Sequence, residues 1–223
     1  WDVRRPDRAR PLGAPLRGHT DTVTSVAFTP DSGLLATGAE DATARLWQVA
    51  DPARPRPGPV LSGHEQLVNA VAFAPDGRTL ATGSDDRTAR LWKVTPDGRA
   101  EALGELAGHR ADVRAVAFAP DGKTLATGGG DHTVRLWDVT DPARAEPHGQ
   151  ELTGHLDTVT TVAFSPRGNT LASAGYDLTA RLWTLTPDHA ATYICTHTPG
   201  VLTRTDWRER LPRLAYRGVC EGR

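Results

Sequence analysis

Histidine and aspartate recur together along the chain, and such pairs are the residues that general acid–base catalysis uses. His19 precedes Asp41 by 22 residues, and the same pair returns at the same separation three more times. A histidine ring oriented by a carboxylate serves as the base in many hydrolases. An active site occurs once in a domain, however, whereas this pair occurs in every unit of a repeat. The recurrence therefore favours a structural role, and we expect no enzyme activity.

Metal chemistry is a weaker hypothesis. No two histidine or cysteine residues stand at ligand spacing within one unit, and protein zinc sites need several such ligands. We therefore expect neither a metal nor another cofactor. Cys195 and Cys220 both lie near the end of the sequence. Either they form a disulfide or they are two buried thiols, and the cytoplasmic location that we expect disfavours the bond.

The repeat is the strongest signal in the sequence. Gly-His pairs begin at Gly18, Gly63, Gly108 and Gly154, at intervals of 45, 45 and 46 residues, and a tryptophan recurs at the same intervals. An aspartate stands six residues before each tryptophan, and a threonine follows two residues after that aspartate. Periods of this length indicate supersecondary units that stack on one another.

Each unit has the pattern of short β-strands. In the first unit, alternating or short apolar runs predict strands at residues 23–28, 34–39 and 43–49. Thr29-Pro30-Asp31-Ser32-Gly33 predicts a hairpin turn, because proline presets φ and glycine accepts positive φ. The Pro-rich residues 50–59 predict an exposed connection. A fourth strand is expected before each following Gly-His, with apolar markers at Leu61, Leu106 and Leu152.

Four strands per unit of about 45 residues, with a Gly-His pair and a terminal tryptophan, resemble the WD40 repeat family. The third unit ends in a literal Trp137-Asp138, and the resemblance covers residues 1 to about 186. It implies an all-β fold. The expected architecture is a partial WD40-type β-propeller with about four four-stranded blades, a remnant of a preceding blade and a short C-terminal helical tail. We expect WD40 repeats over residues 1–187, in units of about 12–50, 57–95, 102–140 and 148–186, and a tail over residues 188–223.

The resemblance also implies a role for the recurring polar residues. In WD40 proteins the matching residues form a hydrogen-bonded chain inside each blade, and a buried carboxylate is stable only when it is hydrogen-bonded. The second residue of this hydrogen-bonded series carries a hydroxyl group in all four units. The implied sets are His19, Thr37, Asp41 and Trp47; His64, Thr82, Asp86 and Trp92; His109, Thr127, Asp131 and Trp137; and His155, Ser173, Asp177 and Trp183.

The first residues look like the end of another unit. Trp1-Asp2-Val3 matches Trp137-Asp138-Val139, and residues 12–16 are expected to form the outer strand of that preceding blade. Propellers close with about four to eight blades, and the sequence contains no methionine. We therefore expect further blades upstream of Trp1. The alternative is an open arc of blades that self-associates.

Beyond residue 186 the repeat stops. Asp188 predicts the cap of a short helix that runs to Thr196, and residues 203–211 predict a second helix that ends before Pro212. The tail resembles the extreme C-terminal segment of many WD-repeat proteins from high-GC bacteria. The large excess of arginine over lysine is typical of such a source.

In WD40 proteins, partners usually bind the face formed by the loops after each Gly-His and the loops between the second and third strands. These loops differ among the four units, whereas the positions that folding requires repeat. The resemblance therefore implies a scaffold for protein–protein interaction, with a protein or peptide partner. The candidate interaction face consists of Asp21, Glu40, Glu65, Asp85, Arg110, Asp112, Leu156 and Tyr176.

Composition argues against other partners. The formal net charge is −1, so no electrostatic argument favours nucleic acid. No apolar stretch approaches the roughly 20 residues that span a bilayer. WD40 arrays of this bacterial type are often fused behind signalling ATPase, kinase or protease domains, so the expected function is the sensor or regulatory part of a larger signalling protein. The alternative is a propeller-fold enzyme whose site is not visible in the sequence.

Overall fold

The repeats fold into four antiparallel β-sheets, the blades, which pack side by side. The structure is a computed structural model, and it describes residues 2–185. Strands that follow one another in sequence also pair within each sheet, so each unit is a meander that needs only short connections. The predicted helical tail and both cysteines lie outside the described residues.

The strand bounds repeat from blade to blade. Blade 1 comprises β1 (Val23–Phe28), β2 (Leu34–Ala39), β3 (Ala44–Gln48) and β4 (Arg56–Leu61). Blade 2 comprises β5 (Val68–Phe73), β6 (Thr79–Ser84), β7 (Thr88–Val94) and β8 (Ala100–Ala107). Blade 3 comprises β9 (Val113–Phe118), β10 (Thr124–Gly129), β11 (Val134–Asp138) and β12 (Glu146–Pro147). Blade 4 comprises β13 (Val159–Phe164), β14 (Thr170–Gly175) and β15 (Ala180–Thr184). Two short 3-10 helices cover Pro6–Arg8 and Pro142–Arg144.

The all-β prediction is confirmed, with corrections at the outer strands. Three blades have four strands, and blade 4 has three within the described residues. The outer strand predicted at residues 12–16 is wrong, because this segment has no strand pairing and only Asp2 and Arg10 form an isolated bridge nearby. The exposed connection predicted at residues 50–59 is shorter than expected, since β4 already begins at Arg56. Proline fits there because β4 is an edge strand, which needs few backbone donors.

The turns between the first and second strands follow from their sequence. In blade 2, the Ala74 amide donates to the Thr79 carbonyl over 2.8 Å, and Gly77 takes a φ of 66°. In blade 1, Ser32 rather than the expected Gly33 takes the positive φ, at 59°. Asp31 stabilises that turn by accepting a hydrogen bond from the Gly33 amide over 2.9 Å, which is the local side-chain contact that makes aspartate a turn residue.

The hydrophobic core lies between the blades. Leu46 on one side of blade 1 and Val68, Val71 and Leu80 on blade 2 belong to one buried cluster, and two equivalent clusters separate the following blades. Full burial of such a side chain stabilises the fold by about 1.5–3 kcal/mol. Each blade therefore depends on its neighbours, and this packing fixes the loops at the blade ends. Within residues 2–185, no helix is long and apolar enough to cross a membrane.

Candidate functional site

The recurring polar residues meet in the interior of each blade. In blade 2, His64 reaches from the loop before β5 to Thr82 on β6, with 2.7 Å between His64 Nε2 and Thr82 Oγ1. On its other side, His64 Nδ1 lies 2.7 Å from Asp86 Oδ2. The Trp92 indole Nε1 on β7 donates to Thr82 Oγ1 over 3.1 Å. One line of hydrogen bonds thus joins two strands and two loops.

The partners of this line fix the direction of its hydrogen bonds. The Trp92 indole can only donate, so Thr82 Oγ1 accepts from it and has its own proton free for His64 Nε2. The ring then carries its proton on Nδ1 and donates it to Asp86. This is a neutral histidine with both nitrogens paired, which leaves no lone pair on the ring to act as a base.

The other three blades repeat this geometry. The distances from Nδ1 to the aspartate oxygen and from Nε2 to the hydroxyl oxygen lie between 2.7 and 3.0 Å in every set. The remaining sets are His19, Thr37, Asp41 and Trp47 in blade 1; His109, Thr127, Asp131 and Trp137 in blade 3; and His155, Ser173, Asp177 and Trp183 in blade 4.

The aspartates are held ionised by their surroundings. Burial raises the pKa of Asp86, but hydrogen bonds from Thr88 and His64 outweigh burial and hold the pKa below its ordinary value of 3.8. Hydrogen bonds lower the pKa of Asp41, Asp131 and Asp177 in the same way, against the opposing effect of burial. Burial lowers the pKa of His64, against the opposing effect of Asp86. Both shifts favour a neutral ring beside a carboxylate anion.

The histidine–aspartate pairs are thus buried and fully hydrogen-bonded within the blades. Each histidine ring is at most 6% exposed, and each aspartate side chain at most 7%. No substrate atom could approach these nitrogens without breaking the blade. Within residues 2–185, no group of three histidine, cysteine, aspartate or glutamate residues is placed to hold a metal ion.

The loops after each Gly-His and the loops between the second and third strands meet at one end of the blades. A backbone hydrogen bond joins the two loops in every blade, for example from Asp85 N to the Leu67 carbonyl over 3.1 Å and from Tyr176 N to the Thr158 carbonyl over 2.9 Å. The structure places all eight residues of the candidate interaction face at this end. Asp21, Glu40, Glu65, Arg110, Leu156 and Tyr176 are exposed, and Asp85 and Asp112 are half-buried.

An arginine that the sequence did not single out organises part of this face. Arg114 on β9 pairs with Asp112, and its guanidinium lies 3.7 Å from Asp85 and 3.3 Å from Asn69 Oδ1 on blade 2. Burial lowers the pKa of Arg114, but the hydrogen bond and charge of Asp112 outweigh burial and raise it. The negative charges of Asp112 and Asp85 are therefore partly balanced by the charge of Arg114.

Sequence reasoning missed Arg114 because it lies inside a strand. Its equivalents are Thr24, Asn69 and Thr160, which are short. Thr24 and Asn69 bind the first-strand backbone of the next blade, at the carbonyls of Val68 and Val113. The sequence did contain a signal for Arg114, because it is a long cationic residue at a position where the other three units have short polar residues.

Blade 4 contributes an exposed apolar patch, which we call the blade-4 patch: Leu156, Tyr176 and Leu178. These side chains are 82%, 66% and 96% exposed. The Leu156 amide donates to Asp177 over 3.0 Å, which holds the two loops of the patch together. Leu178 was not predicted, although its equivalents in the other blades are Ala42, Arg87 and His132.

The comparison with known families gives one result. The family described as WD domain, G-beta repeat matches at residues 10–48, 56–93, 100–138 and 147–184, together more than half of the chain. A search of curated proteins found no match. Four matches in register with four blades show the relationship, and the chain belongs to the WD40 repeat family.

Proposed function

We propose that the loop end of this WD40 array binds a protein or peptide partner and that the blade-4 patch anchors that partner. WD40 repeats generally mediate protein–protein interactions and are typically not enzymes. The observation that supports the anchor is the exposure of Leu156, Tyr176 and Leu178, where the other blades carry polar or small residues. Adjacent exposed apolar side chains mark interaction sites.

The surroundings of the blade-4 patch suit a partner segment of mixed character. Tyrosine combines apolar area with a hydrogen-bonding hydroxyl, and tyrosine and arginine are the residues that most often dominate binding energy. Tyr176 is among the groups that raise the pKa of Arg114, so these two side chains are near one another. An apolar side chain of the partner would cover the patch, and a carbonyl of the partner would accept a hydrogen bond from Arg114, whose charge is already paired with Asp112 and Asp85.

We further propose that the array is the sensor or regulatory part of a larger bacterial signalling protein. The bias of the sequence toward arginine over lysine supports a bacterial source. Every repeated histidine–aspartate pair is buried and hydrogen-bonded within its blade, and this supports a binding role within such a protein.

Site-specific photocrosslinking tests the interaction face. A photoreactive phenylalanine analogue is placed at Tyr176, at Leu178 or, as a control, at Val60, which is also exposed but lies on the outer strand of blade 1. We expect the same crosslinked partner from both blade-4 positions and none from position 60. Crosslinking from position 60 alone would place the interaction elsewhere.

Substitution then tests the energetics with the identified partner. We expect Tyr176→Ala and Arg110→Ala to weaken binding by at least about tenfold each, the effect of roughly 1.4 kcal/mol. Arg78→Ala, in the β5–β6 turn at the opposite end of blade 2, serves as the matched control. Unchanged affinity in both loop variants would show that the face is wrongly assigned.

A further inference from the structure

Blade 3 lacks a side chain at one position of the loop end where the other blades have a large one. Gly130 stands at this position, and its equivalents in the other blades are Glu40, Asp85 and Tyr176. The carboxylate of Asp112 occupies the space that a side chain at position 130 would need. A Cβ on Gly130 would overlap Asp112 Oδ1 and lie 2.9 Å from Asp112 Cγ. The equivalents of Asp112 are not acidic: Thr22, Leu67 and Thr158. The glycine and the aspartate therefore occur together.

Asp112 in turn fixes the position of Arg114, because its carboxylate accepts a hydrogen bond from Arg114 Nε. From blade 2, Asn69 Oδ1 accepts a hydrogen bond from Arg114 Nη1 over 3.3 Å, and Asp85 lies 3.7 Å from Arg114 Nη2. The Asn69 amide is held as well, since it donates to Asp85 over 2.7 Å and to the Val113 carbonyl over 3.0 Å. A guanidinium is planar and its donors have fixed directions, so these contacts from two blades leave it one orientation.

The guanidinium of Arg114 retains donors for a ligand. It has five N–H groups, and its hydrogen bonds to Asp112 and Asn69 use two of them. The Arg114 side chain is 40% exposed, and Tyr176 of the blade-4 patch is near it. A group of the partner that lies next to the patch therefore meets the remaining N–H groups.

The charges around this guanidinium decide which kind of group it accepts. Two carboxylates, those of Asp112 and Asp85, lie beside one guanidinium, so the cluster has a net negative charge. A carboxylate of the partner would meet like charges, and like-charge contacts disfavour binding. A neutral acceptor, such as a side-chain amide oxygen or a backbone carbonyl, accepts from the remaining N–H groups without that repulsion.

We propose that Gly130 is the specificity-determining residue of the loop end, because it leaves the room in which Asp112 holds Arg114 beside the blade-4 patch. The inference rests on the proposed function and adds the chemistry of the bound segment. That segment has an apolar side chain on the patch and, next to it, a neutral hydrogen-bond acceptor such as glutamine rather than an acidic residue. A methyl group at position 130 displaces the Asp112 carboxylate and so releases Arg114. The displaced group is the end of a side chain and not backbone, so the blade keeps its fold.

Chemical modification of arginine tests the positioning role in the full chain without a partner. Phenylglyoxal attacks the unprotonated guanidinium, which an ion pair disfavours, and mass spectrometry of peptides measures the rate at Arg114. We expect faster modification of Arg114 in G130A and in D112N, and no further increase in the double variant, because both changes act through the same carboxylate. G104A, which adds the same methyl group at an open position of β8, is the control and should leave the rate unchanged. Far-UV circular dichroism verifies that each variant is folded, and an unchanged rate in G130A would overturn the positioning role.

Binding of two synthetic peptides tests the specificity. The partner segment that crosslinks to position 176 is made in two forms, with glutamine or with glutamate on both sides of the crosslinked residue. We expect the wild type and G104A to bind the glutamine form at least about tenfold more tightly, equivalent to roughly 1.4 kcal/mol. G130A and D112N should lose most of this preference.

The outcomes separate this inference from the proposed function. Binding that Tyr176→Ala leaves unchanged would overturn the proposed function. Binding that requires Tyr176 but does not distinguish the two peptides, or whose preference survives in G130A, would overturn this inference alone.

Discussion

Within each blade a tryptophan, a hydroxyl residue, a histidine and an aspartate share one line of hydrogen bonds, and the hydroxyl is its central member. In blade 2, Thr82 accepts from Trp92 and donates to His64, and all three side chains are buried. Loss of this hydroxyl would orphan a donor and an acceptor at once, and a buried polar group without a partner costs more than the bond itself contributes.

Thr82→Val should therefore destabilise the protein by about 1–3 kcal/mol, although its shape hardly changes. Urea unfolding followed by tryptophan fluorescence measures the loss. Thr79→Val is the matched control, because Thr79 is also buried on β6 and its hydroxyl makes no hydrogen bond among residues 2–185. Equal stability of the two variants would contradict the central role of Thr82.

The same residues predict how stability depends on pH. The four aspartates have lowered pKa values in the folded protein, so the unfolded chain binds protons first as the pH falls. Their contribution is complete above pH 3.8 and is lost as the pH falls through the folded pKa values. The pKa of His64 is also lowered, from 6.5. The unfolded chain again protonates first, and stability begins to fall below pH 6.5.

Urea midpoints measured between about pH 7 and about pH 3 should thus decrease in two stages. His64→Gln should reduce the slope of the first stage and leave the second in place. A midpoint that rises on acidification would contradict the assigned direction of both shifts.

The sequence singled out these residues because they recur at a fixed interval and because WD40 proteins share them. It did not find Arg114 or Leu178, although each differs from its counterparts in the other blades. Their contribution depends on neighbours such as Asp112 and Tyr176, which only the fold brings close.

At the scale of the strands, the close approach between blades depends on glycine. A Cβ on Gly83 would lie 2.8 Å from Val113 Cγ1, whereas a Cβ on Gly104 of β8 would meet nothing within 4 Å. The first and second strands of blade 1 were predicted accurately, because a short apolar pattern marks each strand and turn residues mark the connection between them. The outer strands were not, because half or more of their residues are exposed and their length varies, from two residues in β12 to eight in β8.

Gly83→Ala should destabilise the protein by about 1–3 kcal/mol, the usual cost of overpacking. Gly104→Ala, which adds the same methyl group at an open position, should be close to neutral. Val113→Ala should relieve part of the loss in the Gly83→Ala background, and a double-mutant cycle of unfolding free energies measures this coupling. Simple additivity would show that the two residues do not limit the packing.

At the scale of the whole molecule, the blades within residues 2–185 form an array in which each packs against its neighbours in sequence. Blades 2 and 3 pack on both sides through β1, β5, β9 and β13, whereas blades 1 and 4 each expose one apolar side within the described residues. Stability in such arrays is a sum of unit and nearest-neighbour contributions. The sequence predicted the repeat but not this difference in burial between the inner and outer blades, because burial depends on which blades are present on either side.

Hydrogen exchange followed by mass spectrometry should resolve the resulting difference in local stability among the blades. We expect slower exchange in the second strands of blades 2 and 3, β6 and β10, than in β14 of blade 4. Local opening of β6 or β10 breaks two interfaces between blades, whereas blade 4 has one such interface within the described residues. Uniform exchange in all four blades would indicate that the array unfolds as a single unit.

The turn between the second and third strands has a further consequence for engineering. Ala42, Arg87, His132 and Leu178 take φ values of 61°, 71°, 67° and 64°, a left-handed conformation that costs a non-glycine residue about 1–2 kcal/mol. Glycine would relieve this strain in every blade, yet all four blades keep a side chain there, and each side chain is different. The array is thus less stable at these four positions than it would be with glycine, and it presents four different side chains at its loop end. Glycine at position 178 should therefore give a more robust protein that recognises its partner less well.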